Sequence, residues 1–291
     1  MNKSTLHSPK PKNRGTSSMP YLLMGFTGFT LFYIWPFILS AKYAFTDKPA
    51  NGIFVGLKNF IELFHSKPYL LGLENTLYFI CISVPLAMSI SLLLAMLINR
   101  VEKYKAVFTL IFMIPLVMPS GSMVFFWKAL FSKKGYINFI LSSIGISSVN
   151  WLESTSSIYV IVLIFIWKNM GYNMILFMVG LHNIPKMYYE AASIDGAGAV
   201  QSFFKITLPE LIPTTVLVTI MSIINSFKIF KEVYLLTGNY PNERIYMLQH
   251  FMNNMFYALN YPKLTTATCV LVLVITPLVY FLLWFERRQR E

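Results

Sequence analysis

The chain has 291 residues, 56% of them hydrophobic and only 12% charged, and its mean hydropathy is +0.57. A soluble globular domain carries about 25% charged residues, so a soluble domain is excluded and most of this surface must face lipid. The net charge of +12 fits basic flanks of membrane helices that meet anionic lipid; no zinc-finger spacing, helix-turn-helix or basic-aromatic stripe speaks for nucleic acid.

Residues 1–19, rich in Ser, Pro and Lys, read as a disordered basic tail. No compact apolar core with a small-residue cleavage site stands apart from the first long apolar stretch, so no removed signal peptide is expected. Six stretches then approach the roughly 20 apolar residues that a spanning helix needs: about 20–41, 76–98, 106–127, 157–181, 210–227 and 264–285. The expected fold class is all-α, a polytopic membrane protein with about six transmembrane helices. Residues 20–285 form one membrane domain and 286–291 a short second tail. The loop at 42–75 contains Phe54-Val55-Gly56-Leu57-Lys58-Asn59-Phe60, apolar enough for a short helix on the membrane surface.

An even number of spans puts both termini on one side. The segments sharing that side (1–19, 99–105, 182–209 and 286–291) are denser in Lys and Arg than the opposite loops. The positive-inside rule therefore favours cytoplasmic termini. Pro36, Pro85, Pro115, Pro119, Pro213 and Pro277 punctuate the spans. They serve either as fixed kinks shaping a bundle or as flexible points, since neighbouring helices can satisfy the freed backbone groups. Cys81 and Cys269 fall inside spans and read as small packing residues.

Much chemistry is missing. The predicted spans hold no Asp or Glu except Glu210 at the start of the fifth. A proton-driven carrier commonly needs a buried carboxylate, although sodium coupling through backbone carbonyls stays open. No phosphate-binding loop of the Gly-x-x-x-x-Gly-Lys-Ser/Thr type occurs, so any ATP is hydrolysed by another chain. His7, His65, His182 and His250 are scattered without metal-ligand spacing, and no Gly-x-Ser-x-Gly elbow appears. Catalytic residues, a metal and a bound cofactor are not expected.

Two spans carry polar stripes. Asn169, Tyr172 and Asn173 share one face of the fourth, and Ser222, Asn225 and Ser226 repeat that spacing on the fifth. One reading makes them facing walls of a wet path, with Asn and Tyr suited to sugar hydroxyls and rings. The other makes them interhelical glue. Lys168, the one charged residue deep in a predicted span, costs about 2.5–3.5 kcal/mol at mid-membrane. It needs a structural partner or an anionic substrate.

The segment between the fourth and fifth spans is the most ordered in pattern. Glu190, Ala191 and Ala192 belong to a short helix that Asp195-Gly196 interrupts, since Gly readily takes left-handed geometry. A second short helix follows at about Val200–Lys205. Thr207 then reads as a helix cap, with Pro209 in the first turn and Glu210 three residues on. Physically this is an interfacial linker or a docking element for another protein.

The spacing Glu190-Ala191-Ala192, Gly196, Ile206, Leu208-Pro209 resembles the EAA loop of permease subunits in binding-protein-dependent ABC importers. Residues 54–60, Asn75-Thr76, Pro115 with Pro119, Gly180-Leu181, Ile184-Pro185 and Leu235-Leu236-Thr237-Gly238 are similar to its carbohydrate-uptake branch, which includes the maltose and glycerol-3-phosphate permeases. The likeness covers roughly 20–285. It departs at Asn239-Tyr240-Pro241-Asn242, where relatives often carry more glycines and proline, and leaves that outer loop's conformation open.

The resemblance implies that 182–209 is a cytoplasmic coupling loop docked on an ATPase subunit. Glu190 would make polar contacts there, Ala191 and Ala192 would allow close approach, and Asp195, Gly196 and Ala197 would form the bend. It implies a second homologous permease, two ATPase subunits that hold ATP and Mg, an extracytoplasmic solute-binding protein, and a bacterial cytoplasmic membrane. The substrate would be a carbohydrate, an oligosaccharide in the first instance, and its path would run past Lys168, Asn169, Tyr172, Asn173, Asn225 and Ser226. A stand-alone ion-coupled carrier and a scaffold or receptor protein are the rival readings.

Overall fold

A computed structural model describes residues 19–49 and 51–290; the basic tail expected before Met19 lies outside the described residues. Within them the chain is helical, with a single β-bridge between Thr46 and Phe54 and no strand. The helices are α1 (Tyr21–Tyr43), α2 (Lys58–Phe64), α3 (Lys67–Asn99), α4 (Lys105–Val117), α5 (Ser120–Phe131), α6 (Tyr136–Ser143), α7 (Ser157–His182), α8 (Lys186–Ile194), α9 (Ile212–Lys228), α10 (Phe230–Thr237), α11 (Leu248–Tyr257) and α12 (Tyr261–Arg290). Five spans are long and apolar enough to cross a membrane: α1, α3, α7, α9 with α10, and α12. A sixth is counted if the bent α4–α6 segment is one span.

That bend corrects the third predicted span. Residues 106–127 are not one helix: α4 stops at Val117, and the chain restarts at Ser120 at an angle of 96°. Met118 and Pro119 are both extended, with φ/ψ of −63°/131° and −61°/137°. Proline disfavours helical geometry in the residue before it, and here nothing restores it. Pro85, Pro115 and Pro277 by contrast lie inside continuous helices. At Pro36, α1 passes through a wider π-type turn over Thr30–Ile34, the local adjustment that absorbs a missing donor.

Other boundaries also move. α3 begins at Lys67, well before the expected residue 76. The fifth span starts at Ile212 and does not stop at residue 227; after Lys228 it runs on as α10 to Thr237. The last helix continues through residues 286–290, expected as a tail.

The core lies where α3, α5, α7 and α9–α10 meet. Phe79 and Phe165 pack edge to face at 5.4 Å, among buried Met123, Ile161, Ile164 and Val233. A second cluster of Ala95, Ile98, Met174, Phe177 and Val218 fills the same helices toward the end that bears α8. A third joins Leu63, Tyr69, Leu248 and Phe251 at the opposite end. Outside this core, the hydrophobic faces of α1 and α12 are left open, as lipid or a second subunit requires.

Small residues set the helix spacing. A Cβ on Gly171 of α7 would lie 1.9 Å from the Phe112 carbonyl oxygen of α4, so the two backbones touch directly. Such close approach is how helices pack in lipid, where no hydrophobic force drives them together. At the far end, Asn75 donates to the Tyr246 carbonyl at 2.9 Å and also to that of Glu243. Thr76 accepts the Leu248 N–H at 2.9 Å. The loop after Asn239 is thereby fastened across α3, and Asn242 ties it to the Glu153 carbonyl at 2.7 Å. Asn59 likewise donates to the carbonyls of Ala44 and Thr46, both at 2.9 Å.

His250 on α11 is fully buried, edge-on to Phe230 at 4.8 Å, and its Nδ1 accepts the Met247 N–H at 3.1 Å. Burial pushes its pKa down to about 4.

Two outcomes follow from this packing. Gly171→Ala forces α4 and α7 apart and costs about 1–3 kcal/mol, the range for overpacking, read as a lower thermal midpoint of the purified protein. His250 favours folding only while neutral. Its contribution is complete above the ordinary imidazole pKa of about 6.5 and declines as the pH falls from there toward 4. Thermal melts between pH 7 and 4.5 therefore fall more steeply for the native chain than for His250→Gln.

Candidate functional site

α8 starts after an extended Pro185 and ends in a Schellman cap. The Gly196 N–H donates to the Ser193 carbonyl at 3.2 Å, and the Ala197 N–H reaches back to that of Ala192 at 2.8 Å. Gly196 has φ +78°, a conformation that costs glycine nothing and other residues 1 kcal/mol or more. This is the bend foreseen at Asp195-Gly196, with Asp195 as the C-cap residue. Tyr189 and Thr207 share a hydroxyl hydrogen bond of 2.8 Å, which ties α8 to the returning chain.

That return differs from the sequence reading. Helix over Ala199–Ser202 passes into a π-type turn at Phe203–Thr207. Thr207 is itself helical and does not cap the next turn; its hydroxyl is taken by Tyr189. Glu210 lies in a separate short turn ahead of α9.

Glu190, Ala191, Asp195 and Gly196 are exposed, and Ala192 and Ala197 half-buried. Beside them Met187, Ile194, Val200 and Phe204 are each at least 60% exposed. An elbow with four large apolar side chains uncovered carries an exposed apolar patch of the kind that marks an interaction site.

The second region lies in the core of the helices. Asn173 and Ser222 are fully buried and joined by a 3.0 Å hydrogen bond, linking α7 to α9. Asn169 donates to the Phe165 carbonyl at 2.8 Å, and Ser226 to that of Ile223 at 2.6 Å, each within its own helix. Tyr172 is half-buried. The stripes thus divide: Asn173 and Ser222 hold helices together, while Lys168, Asn169 and Asn225 line a cavity of about 160 Å³.

The same cavity is lined by Glu232 and Lys228, which sequence reasoning missed. Lys168 donates to Glu232 Oε1, and Ser120, at the restart of the broken third span, donates to that same oxygen at 2.9 Å. Lys168 therefore has a structural partner, and the expectation that the spans hold no acid apart from Glu210 is overturned. Glu232 fell outside the fifth predicted span, which ended at about residue 227. Yet Ser222, Asn225, Ile229 and Glu232 continue one helical spacing, and an unpaired intramembrane lysine calls for an anion. Those two signals pointed to Glu232.

Removing one partner of a buried ion pair leaves an uncompensated charge and costs about 3–5 kcal/mol, whereas replacing both with apolar groups is often neutral. Lys168→Met accordingly lowers the thermal midpoint sharply, and Lys168→Met with Glu232→Leu recovers most of the loss.

Residues 87–291 match the family model described as "Binding-protein-dependent transport system inner membrane component". The arabinooligosaccharides transport system permease protein AraP of Halalkalibacterium halodurans is 34% identical over 226 residues, which are 74% of this chain and 70% of AraP. The probable ABC transporter permease protein YesP of Bacillus subtilis is 32% identical over 269 residues, covering 88% of this chain and 85% of YesP. A solved chain from a bacterial ABC transporter involved in import of the acidic polysaccharide alginate superposes with a TM-score of 0.81 at 24% identity, over 92% of this chain and 94% of that one, and shares its fold. With the helical architecture and the stapled elbow already described, these matches make the chain a member of the family of inner-membrane components of binding-protein-dependent transport systems.

Proposed function

We propose that this protein is one permease subunit of an ATP-driven importer for a carbohydrate. It forms half of the translocation path beside a second, homologous permease. Two ATPase subunits hold ATP and Mg, one of them docked on the elbow at α8, and an extracytoplasmic binding protein delivers the sugar at the opposite end. The setting is a bacterial cytoplasmic membrane, with both termini and α8 on the cytoplasmic side. The chain itself performs no covalent chemistry.

The observation that carries this reading is the elbow. Its bend is locked by the two hydrogen bonds of the Schellman cap and by the Tyr189–Thr207 contact, yet its apolar side chains face outward. A merely connecting loop needs neither feature. Glu190, Ala191 and Ala192 present the first face, and Asp195, Gly196 and Ala197 turn the chain so that Val200 and Phe204 can present a second.

The carbohydrate follows from AraP, whose name specifies arabino-oligosaccharides, and from the groups on the path. Lys168, Asn169 and Asn225 offer donors and acceptors to hydroxyls around the cavity. Tyr172, half-buried and three residues on from Asn169 along α7, supplies an aromatic face. Asn173 and Ser226 support the wall from inside the helix packing.

A stand-alone ion-coupled carrier gains a buried carboxylate in Glu232, but that carboxylate is committed to Lys168 and Ser120. The relatives are named as permease proteins of transport systems, which fits a subunit that is inert alone.

Glu190→Arg reverses a charge at the docking surface. In the complete complex in proteoliposomes, it lowers binding-protein-stimulated ATP hydrolysis and trisaccharide uptake by at least about tenfold, the effect of 1.4 kcal/mol. The subunits of this permease pair still assemble. Uptake equal to the native complex would remove α8 from the coupling role.

A further inference from the structure

We propose that the transported carbohydrate is acidic and that Lys228 pairs with its anionic group, a carboxylate or a phosphate ester. The inference rests on the carbohydrate reading above and narrows its substrate class. Lys228 lies outside the path that the sequence outlined.

The span Ile212–Thr237 carries Lys228, Lys231 and Glu232. Glu232 is buried, and Lys168 balances its charge. Lys228 and Lys231 are exposed, and neither has a carboxylate within ion-pair distance among the described residues. Ile229 between them keeps helical backbone, with φ/ψ of −61°/−21°, so the two lysines, at i and i+3, share one side of the helix. From Lys228 to the end of the span at Thr237 the helix rises about 13 Å, which sets this ammonium well inside the span. Charged side chains at such depth almost always face the bundle interior or a water-filled cavity, and they mark substrate and ion pathways.

Lys228 does border a cavity, the one of about 160 Å³ that it shares with Lys168, Asn169, Asn225 and Glu232. Its Nζ donates to Oδ1 of Asn225 at 3.2 Å, and Asn225 lines the same cavity. That bond holds the ammonium at the cavity wall and uses one of its three donors. Because Lys168 and Glu232 cancel, the lining keeps one net positive charge, and Lys228 carries it. The volume falls below the roughly 300–1,000 Å³ of pockets for drug-sized ligands, so the cavity takes the charged edge of a sugar ring and not a whole oligosaccharide. Lys231, one turn farther from the elbow, continues the positive face toward the end where the sugar is delivered.

Charge decides between neutral and acidic sugars. A hydroxyl can accept from Lys228, but it leaves the cation uncompensated once the helices close on the ligand and expel water, and an unpaired charge in a dry interior is costly. A carboxylate or phosphate removes that charge, and its hydrogen bonds to an ammonium are roughly twice as strong as neutral ones. Asn169 and Asn225 then pair the hydroxyls of the same ring.

Lys228 also differs from Lys168 in what its loss does. Lys168 is committed to Glu232, so removing it strands a buried acid. Among the described residues no acid depends on Lys228, so neutralising it removes a charge from the span and strands none. A residue kept for transport at a cost to stability behaves in this way.

The test uses the complete complex (this chain, its partner permease, the ATPases and the binding protein) in proteoliposomes. Uptake is measured for galacturono- and mannurono-trisaccharides, for glucose 6-phosphate, and for neutral arabino-, xylo- and malto-trisaccharides. The expected result is uptake of an acidic compound by the native complex, and the trisaccharide and phosphate arms tell carboxylate from phosphate. Lys228→Gln keeps a donor for Asn225 but no charge, and it lowers that uptake at least about tenfold, the effect of 1.4 kcal/mol. Lys228→Arg, which keeps the charge, restores most of it. The binding protein is the same throughout, so the difference belongs to the permease. The thermal midpoint of the Lys228→Gln complex stays at or above the native one. Native uptake confined to the neutral trisaccharides overturns the inference and leaves the carbohydrate importer intact, as does acidic uptake that Lys228→Gln leaves unchanged. A Lys228→Gln complex that fails to assemble or melts below the native one makes the cation structural, paired with a carboxylate of the second permease, and overturns the inference as well. Native complexes that take up none of the compounds overturn the carbohydrate reading and this inference together.

Discussion

A charge placed among apolar helices has to be neutralised within the protein, and much of the central architecture answers that demand for Lys168. Its partner Glu232 lies on the extension of the fifth span, and the shared Ser120 lies where the broken third span restarts. One carboxylate oxygen therefore joins three helices that have no covalent reason to meet. The residue before Lys168 adds an aromatic contact between the same two helices, Trp167 packing against Phe126 at 5.9 Å and against Trp127 at 5.3 Å. Without the lysine, α10 would present a buried acid to a low-dielectric interior. Without the acid, α7 would carry a cation that lipid cannot solvate.

The pair also explains why some of the structure could be read from sequence and some could not. The elbow at α8 was legible because its determinants are local: a proline before the helix, alanines within it, and a glycine that closes a Schellman cap over six residues. Helix propensity and backbone sterics suffice there. Most of the spans were legible for a similar reason, since a run of apolar residues reports its own environment. Glu232 was not, because its burial depends on a residue 64 positions earlier. A local reading assigns Lys228, Lys231 and Glu232 to water; only the tertiary pair makes α10 a continuation of the span. The start of α3 was missed similarly, as Lys67 and Glu74 gave its first turns the look of a loop.

Pro119 and Thr207 show a different limit. Both were noticed, but each was compatible with two geometries. Pro119 could have sat within a continuous helix, as Pro85 and Pro115 do, or ended it. Met118, restricted by the proline after it, settles into extended backbone and the chain turns by 96°, and Ser120 beyond it gains a partner in Glu232. Thr207 could have capped a helix or remained inside one. The nearby Tyr189 hydroxyl at 2.8 Å takes its side chain instead. In each case a contact distant in sequence chose between local alternatives of similar energy.

These contacts also set which parts can move together. From the elbow inward, Gly180 brings α7 so close to α9 that an added Cβ would meet Thr214 Oγ1 at 2.4 Å. Further along, Asn173 and Ser222 join the same helices by a buried hydrogen bond. The cavity bordered by Asn169 and Asn225 comes next, followed by the link from Lys168 to Glu232. Packed interiors resist gradual deformation and shift between discrete arrangements. A displacement applied at α8 is therefore delivered to α7 and α9 as a pair, and its compliance must be sought beyond them. The break at Met118-Pro119 is where such compliance is available: two extended residues connect rigid helices, and only the Ser120 hydroxyl fastens the restart to the ion pair. On this geometry the two sides of the break belong to different contacts: α4 lies backbone against backbone on α7 at Gly171, whereas α5 is held to Glu232 through Ser120 and buries Met123, Val124 and Trp127 in the core.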